Sequence, residues 1–168
     1  MVVSVTESDS LLLLDIARAV LGRSSGTRWS VRPTDAWCHV TSPAGVSRKH
    51  GWKLHLRATP LSAPLVLARA TEVPIERECS FKFATAIRRV IELVDGWYDR
   101  GGSGKFVTGY PTDDEHFRVV AEELHRATDE MAGPRILSDR QLRPGSLVHY
   151  RYGEFLSERA FTDDGLFE

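Results

Sequence analysis

Lys53 and His55 are the first residues whose types and spacing could do chemistry together. They lie in a segment, 52–58, in which apolar and polar residues alternate. On a β-strand, side chains two positions apart share a face, so the strand would direct a cation and an imidazole to one place. An imidazole can act as a general acid near neutral pH, and a lysine beside it can bind an anion. The polar face of an exposed strand has the same pattern, and both interpretations stay open.

Lys82 is the second residue of interest, because it lies between Phe81 and Phe83. An exposed lysine on an alternating strand would explain this pattern. If the lysine is instead desolvated, its pKa falls, and the neutral amine can remove a carbon-bound proton. The sequence leaves both possibilities open.

Cations are frequent near the turns and strands predicted for the second half of the chain. They are Arg100, Lys105, Arg135, Arg140, Arg143 and Arg151. Guanidinium groups suit bidentate contacts to phosphate, although most surface arginines are simply solvated.

Other candidate motifs favour structural explanations. The segment 102–105 ends in Gly-Lys, but a P-loop needs glycine where Asp99 stands, and Phe106 replaces its Ser or Thr. The carboxylates at 113–115 fit the start of a helix better than a metal site. Cys38 and Cys79 are expected to be small buried residues rather than nucleophiles. No Gly-x-Ser-x-Gly motif suggests a serine hydrolase.

The composition is that of one ordinary globular domain. The chain has 168 residues, of which 27% are charged and 42% hydrophobic, and its net charge is −1. That charge argues against a general nucleic-acid binder. Two cysteines exclude a disulfide scaffold and make a structural zinc site improbable. The longest uninterrupted apolar run has four residues, and the N-terminus lacks the basic region of a signal peptide, so we expect a cytoplasmic protein without a membrane segment.

The order of predicted elements favours an α+β fold with a mixed, largely antiparallel sheet and packed helices. Helices are predicted at 11–21, after Ser62 and before Pro74, at 87–94, and after a capping box at 112–115. Asp9 or Ser10 would begin the first helix and Gly22 would end it. Strands are predicted at 37–40, 52–58, 81–83, 105–110 and 146–152. The rest of 22–51 is expected to be irregular.

Several blocks together resemble the N-terminal lyase domain of class III and class IV lanthipeptide synthetases. They are 51–55 with 58–60, 81–83, 100–108 with 110–111, 133–134 with 136–139, and 150–153. The residue sequence of 134–153 is more similar to class IV than to class III, and the resemblance covers about 37–155. That domain is similar in turn to the phosphothreonine lyase effectors of bacterial pathogens, which implies a phosphothreonine-lyase-like fold.

The resemblance implies β-elimination of phosphate from phosphoserine or phosphothreonine in a precursor peptide, without a metal or cofactor. Lys82 would be the base that removes the α-proton, and His55 the acid that protonates the leaving phosphate. Phosphate would be bound by Lys53, Arg100, Tyr110, Arg151, Arg140 and Lys105. The implied partners are the phosphorylated precursor with its leader and the kinase and cyclase domains of the same synthetase.

We therefore expect a single lyase domain over 1–168, with an N-terminal helix and irregular segment at 1–50 and a catalytic core at 51–155. We also expect it to be cut from a larger lyase–kinase–cyclase protein. The alternative from another functional class is a non-catalytic module that binds a phosphopeptide or the leader. A decayed scaffold is a third possibility, which an exposed Lys82 far from His55 would support.

Overall fold

The secondary structure consists of seven strands and five helices in the part of the chain that the computed structural model describes, residues 5–24, 28–46, 48–94, 105–131, 136 and 138–155. The strands are β1 (Ser30–Pro33), β2 (Trp37–Thr41), β3 (His50–Leu56), β4 (Ser80–Ala84), β5 (Val107–Tyr110), β6 (Arg140–Gln141) and β7 (Val148–Glu154). The helices are α1 (Val5–Arg23), α2 (Ala63–Ala70), α3 (Glu72–Glu76), α4 (Ile87–Val94) and α5 (Asp114–Ala127). None of these helices is long and apolar enough to cross a bilayer.

The strands form one sheet in the order β1-β2-β4-β5-β3-β7-β6, and each described pairing is antiparallel. One face of the sheet packs against helices. On that face Trp52 contacts Phe117 of α5 with ring centroids 6.0 Å apart. The predicted α+β class is confirmed. The alternation in 52–58 also predicts that Trp52, Leu54 and Leu56 face the core; Leu54 and Leu56 are buried there, and Trp52 packs on the same face.

The phenylalanines on either side of Lys82 fix the direction of its side chain. Phe81 and Phe83 are buried in the core on the helical face of β4. Full burial of one such ring is worth about 1.5–3 kcal/mol, and a slip of one residue would turn both rings out of the core. The apolar alternation of β4 therefore places Lys82 on the opposite face of the sheet.

The region 22–51 is more regular than predicted. Besides the expected β2, it contains β1, which pairs with β2 as a hairpin, and β3 begins at His50. β6 was not predicted either. Both unpredicted strands are short edge strands, so their sequences carry too few alternating residues to be recognised.

Several predicted helix boundaries are wrong. α1 begins at Val5 and includes Asp9, Ser10 and Gly22, none of which therefore bounds it. The helix predicted after Ser62 ends at Ala70, before Pro74, as expected, and Pro74 lies inside α3, a separate short helix that follows α2 almost directly. Ser62 precedes α2 as expected, but its hydroxyl accepts a hydrogen bond from the amide of Thr59 and makes no bond to the helix. Glycine commonly follows the end of a helix, so Gly96 is predicted to end the helix at 87–94, and it lies outside the described residues.

Asp113, rather than Thr112, is the N-cap of α5. Its carboxylate accepts a hydrogen bond of 2.7 Å from the amide of His116. We expect Asp113→Ala to lower the free energy of unfolding by about 0.5–2 kcal/mol, measured by urea denaturation. Asp113→Asn should cost much less, because the amide oxygen can still accept the bond; equal losses in the two variants would contradict this role.

Candidate active site

A row of polar side chains crosses the face of the sheet opposite the helices. The register pairs His39 with Lys82, Lys82 with Thr108, Thr108 with His55, and His55 with His149. Directly paired residues of antiparallel strands point to the same face. β5 separates Lys82 from His55, so two strand spacings, about 10 Å, separate their backbones. Both side chains can therefore reach a group bound above Thr108.

Lys53, His55 and Lys82 are buried, with exposed fractions of 8%, 0% and 5%. This excludes the exposed-strand interpretation of Lys53 and His55 and the exposed-lysine interpretation of Lys82. A decayed scaffold would leave Lys82 exposed, whereas Lys82 is buried in this structure.

Asp139 binds the imidazole of His55 directly. The distance from Nδ1 of His55 to Oδ2 of Asp139 is 2.5 Å, and both side chains are fully buried. The other carboxylate oxygen accepts a hydrogen bond from Ser138 and lies 3.9 Å from Nζ of Lys105. A carboxylate at Nδ1 favours the tautomer with its proton there, which leaves Nε2 to face a ligand.

Nε2 of His55 is buried and has no hydrogen-bond partner among the described residues. Burial is the main reason that the pKa of His55 falls to about 4; the hydrogen bond and charge of Asp139 oppose this shift, while Lys105 and Lys53 add to it. Burial alone would raise the pKa of Asp139, but the hydrogen bond from His55 and the nearby positive charges lower it overall. At neutral pH the pair is therefore a neutral imidazole beside a carboxylate.

The buried charges of the described chain all belong to this region. They are the lysines Lys53, Lys82 and Lys105 and the single carboxylate of Asp139. Burying a charge is costly unless an opposite charge compensates it. Lysine side chains clustered in one buried region suit an anionic ligand, and a phosphate dianion is such a ligand.

Lys53 and Tyr110 lie two residues along their strands from the row. Nζ of Lys53 donates a hydrogen bond of 3.2 Å to the carbonyl of Glu154. Tyr110 pairs with Ser80 and packs against Phe155, with ring centroids 5.3 Å apart. Both side chains therefore lie on the face that carries His55 and Lys82.

The arginines predicted to bind phosphate differ in position. Arg151 pairs with Lys53, so it shares the face of the row, and it is exposed at its rim. Arg140 pairs with Tyr150, which is opposite Leu54, so the register directs Arg140 to the helical face and away from His55. We therefore leave Arg140 out of the functional proposal. Arg100 lies outside the described residues.

The two cysteines lie outside this row, as buried free thiols. Burial raises the pKa of Cys38 to about 11 and that of Cys79 to about 12. Both stay protonated near neutral pH and are poor nucleophiles, as expected. The described residues also contain no group of three or more side chains suited to a metal ion.

Asp139, His149 and Trp37 belong to the site but were not predicted. Nε2 of His149 accepts a hydrogen bond of 3.3 Å from the amide of Ile136, so His149 holds the segment that carries Asp139. Nζ of Lys82 lies 4.3 Å from the ring centroid of Trp37. For Trp37, the alternation of residues 37–40 would have shown that it shares a strand face with His39.

The site thus combines an amine, an imidazole oriented by a carboxylate, and neighbouring cationic side chains. It can take a proton from one side of a bound group and give a proton to the other. Such a site suits elimination of an anionic leaving group, since it presents a base, an acid and anion-binding groups.

The family profile described as "RamC, N-terminal domain" matches residues 17–168. A "Probable SapB synthase" from Streptomyces coelicolor is 36% identical over 141 residues, which are 84% of this chain and 14% of the relative. The chain thus spans about one seventh of that relative's length.

Solved structures of phosphothreonine lyases share the fold. The effector OspF from Shigella flexneri superposes with a TM-score of 0.57 at 14% identity, over 94% of this chain and 92% of the effector. The Salmonella plasmid virulence C protein gives 0.56 at 15% identity, over 95% and 90%. The Chromobacterium violaceum VirA effector gives 0.56 at 14% identity, over 89% and 88%. The predicted phosphothreonine-lyase-like fold is therefore confirmed.

Proposed function

Because the chain belongs to the family of RamC N-terminal domains, we propose that it is a lyase domain of a lanthipeptide synthetase. Its reaction is the β-elimination of phosphate from phosphoserine or phosphothreonine in a precursor peptide. The products are dehydroalanine or dehydrobutyrine and inorganic phosphate.

One observation favours the lyase proposal over the binding-module alternative. Lys82 and His55 lie in one cross-strand row on either side of Thr108, in a region with three buried lysines and one buried carboxylate. A module that only binds phosphopeptides would need the positive charge. It would not need a buried imidazole oriented by Asp139, with its second nitrogen directed to no other described group.

The electrons move in one direction through the substrate. The neutral amine of Lys82 takes the proton from Cα, and the Cα–H electron pair becomes the second bond between Cα and Cβ. The Cβ–O bond breaks, and its electron pair leaves with the phosphate. Binding of the phosphate dianion beside Nε2 favours the protonated form of His55, so Nε2 takes up a proton from solvent before the reaction. That proton then passes to the departing oxygen, and Asp139 stabilises the imidazolium that exists before this transfer.

Phosphate binding falls to the cations around the row. Lys53 and Lys105 are close enough to lower the pKa of His55, so their charges also reach a phosphate bound at Nε2. We propose Arg151 at the rim, Tyr110 beside the row and Arg100 as further phosphate ligands. Preorganised positive charge stabilises the negative charge that grows on the leaving group.

The partners proposed for the domain follow from its family. A synthetase of this kind would supply the phosphorylated substrate through a kinase domain and use the alkene in a cyclase domain. The precursor peptide would carry a leader segment that the synthetase recognises.

The proposal is tested by mass spectrometry of a leader-fused phosphoserine peptide incubated with the domain. We expect a product that has lost phosphoric acid, and a thiol added afterwards should form an adduct at the new alkene. A peptide that stays phosphorylated but co-purifies with the domain would favour the binding-module alternative. A serine product would indicate hydrolysis and contradict the proposal.

A further inference from the structure

Trp37 contacts the amine proposed as the base. Its side chain shares a sheet face with His39, which pairs with Lys82, so Trp37 is a diagonal neighbour of Lys82 on the adjacent strand. Aromatic and long side chains can touch across such a diagonal. Nζ of Lys82 lies 4.3 Å from the centroid of the Trp37 ring, within the range of a cation–π interaction.

The backbone holds Trp37 firmly beside β4. The hydroxyl of Thr34 donates to the carbonyl of Trp37 and accepts from its amide, at 2.8 and 3.1 Å. The turn that contains Ala36 is also bound to the end of β4, because the amide of Thr85 donates to the carbonyl of Ala36 at 3.2 Å. The backbone from which the Trp37 ring extends is therefore held by the β1–β2 hairpin.

Other ionisable groups lie on the same sheet face as Lys82 and could affect the charge of its amine. They are Arg32 and His39 on β1 and β2, Lys53 and His55 on β3, Tyr110 on β5, His149 and Arg151 on β7, and Lys105 and Asp139 outside the strands. Asp139 is the one carboxylate that the described part of the chain places among these groups, and it is bound to His55. Trp37 is a group that the structure places directly against the lysine amine, and its ring face is attractive to a cation.

We propose that Trp37 is a positioning residue for the base: its ring binds the ammonium group that Lys82 becomes when it accepts the α-proton. This inference rests on the proposed lyase function. The negative face of an indole attracts an ammonium ion more than a neutral amine. The ring would therefore stabilise the charge that develops on Lys82 during proton transfer and hold the amine at the edge of the row.

The ring should also set the pH at which Lys82 gives up its proton. A cation–π interaction is worth about 0.5–2 kcal/mol, which corresponds to a shift of about 0.4–1.5 pH units. Loss of the ring should move the titration of Lys82 to lower pH. Trp37→Phe, which keeps a weaker aromatic face, should move it in the same direction by less than Trp37→Leu.

The titration can be followed without any substrate. The chain has only four lysines, so the ¹³Cε resonances of labelled lysine can be assigned with single variants and followed against pH by NMR. Trp29→Leu is the matched control, because Trp29 contacts Phe81, the neighbour of Lys82, from the helical face. Backbone spectra of each variant establish that it is folded.

We expect the Lys82 midpoint to fall in Trp37→Leu and to stay unchanged in Trp29→Leu. The low-pH limb of kcat/KM should move with it by the same amount. A midpoint that stays constant or rises in Trp37→Leu, or equal shifts in both variants, would overturn the inference. If the titration shifts as expected while the wild type forms no alkene, the ammonium-binding role is upheld and the lyase proposal fails. An active lyase with no titration shift would overturn the role of Trp37 alone.

Discussion

Lys82→Ala should abolish most of the elimination while leaving the fold intact. A general base typically contributes about 10²–10⁴-fold, so we expect kcat to fall by that factor. Binding of the phosphopeptide should weaken far less, because Lys53, Lys105 and Arg151 remain. Single-turnover kinetics measures the loss, and isothermal titration with the same phosphopeptide measures the binding.

Lys82→Arg separates the base from its charge. Arginine keeps the positive charge but does not deprotonate in proteins, so the variant should be as inactive as Lys82→Ala. Lys49→Ala is the matched control, since Lys49 is an exposed lysine that precedes β3. Wild-type rates in Lys82→Arg would show that the site needs only a cation at this position, and Lys82 would then not be the base.

His55→Ala is expected to have the second large effect, a loss of about 10²–10⁴-fold in kcat, because the leaving phosphate would receive no proton. Asp139→Asn should lose less, since its amide oxygen can still accept a hydrogen bond from the Nδ1–H group of His55. Stopped-flow detection of the new alkene gives both rates. His50→Ala is the matched control, because His50 is an exposed histidine on the same strand, directed to the other face.

The pH dependence of Asp139→Asn has a definite sign. The carboxylate raises the pKa of His55 against the larger lowering effect of burial. Its removal lowers that pKa further, so the imidazole carries its proton over a narrower range. The high-pH limb of kcat, which reports the enzyme–substrate complex, should therefore move to lower pH in Asp139→Asn. A limb that stays in place, or one that moves to higher pH, would show that Asp139 does not act through the charge of His55.

The central part of the site could be predicted because its strands alternate strongly. Lys53, His55 and Lys82 each lie between apolar residues of strands that are buried in the core, and this pattern fixes the face of each polar side chain. Their meeting in one row could not be predicted, since it depends on β5 pairing between β3 and β4. Nothing in a local sequence pattern specifies which strand lies between two others.

Asp139 shows why part of the site escaped prediction. It is 84 residues from His55 in the chain and lies outside the strands, so no periodicity relates the two residues. Arg140, the next residue, was predicted to bind phosphate, but its register turns it to the helical face. A cation near a turn lies outside any alternating pattern, so the sequence does not indicate the face of the sheet to which its side chain points. The β1–β2 hairpin that fixes Trp37 was missed because β1 has only four residues and ends at Pro33.

The central claim is that the Cβ–O bond of the substrate breaks, with Lys82 as the base. It is tested most directly by running the reaction in water labelled with heavy oxygen and analysing the released phosphate by mass spectrometry. Elimination predicts unlabelled phosphate, because all four oxygens come from the substrate, and no release of phosphate by Lys82→Ala. Phosphate that carries one heavy oxygen would show attack of water on phosphorus, and it would contradict the account.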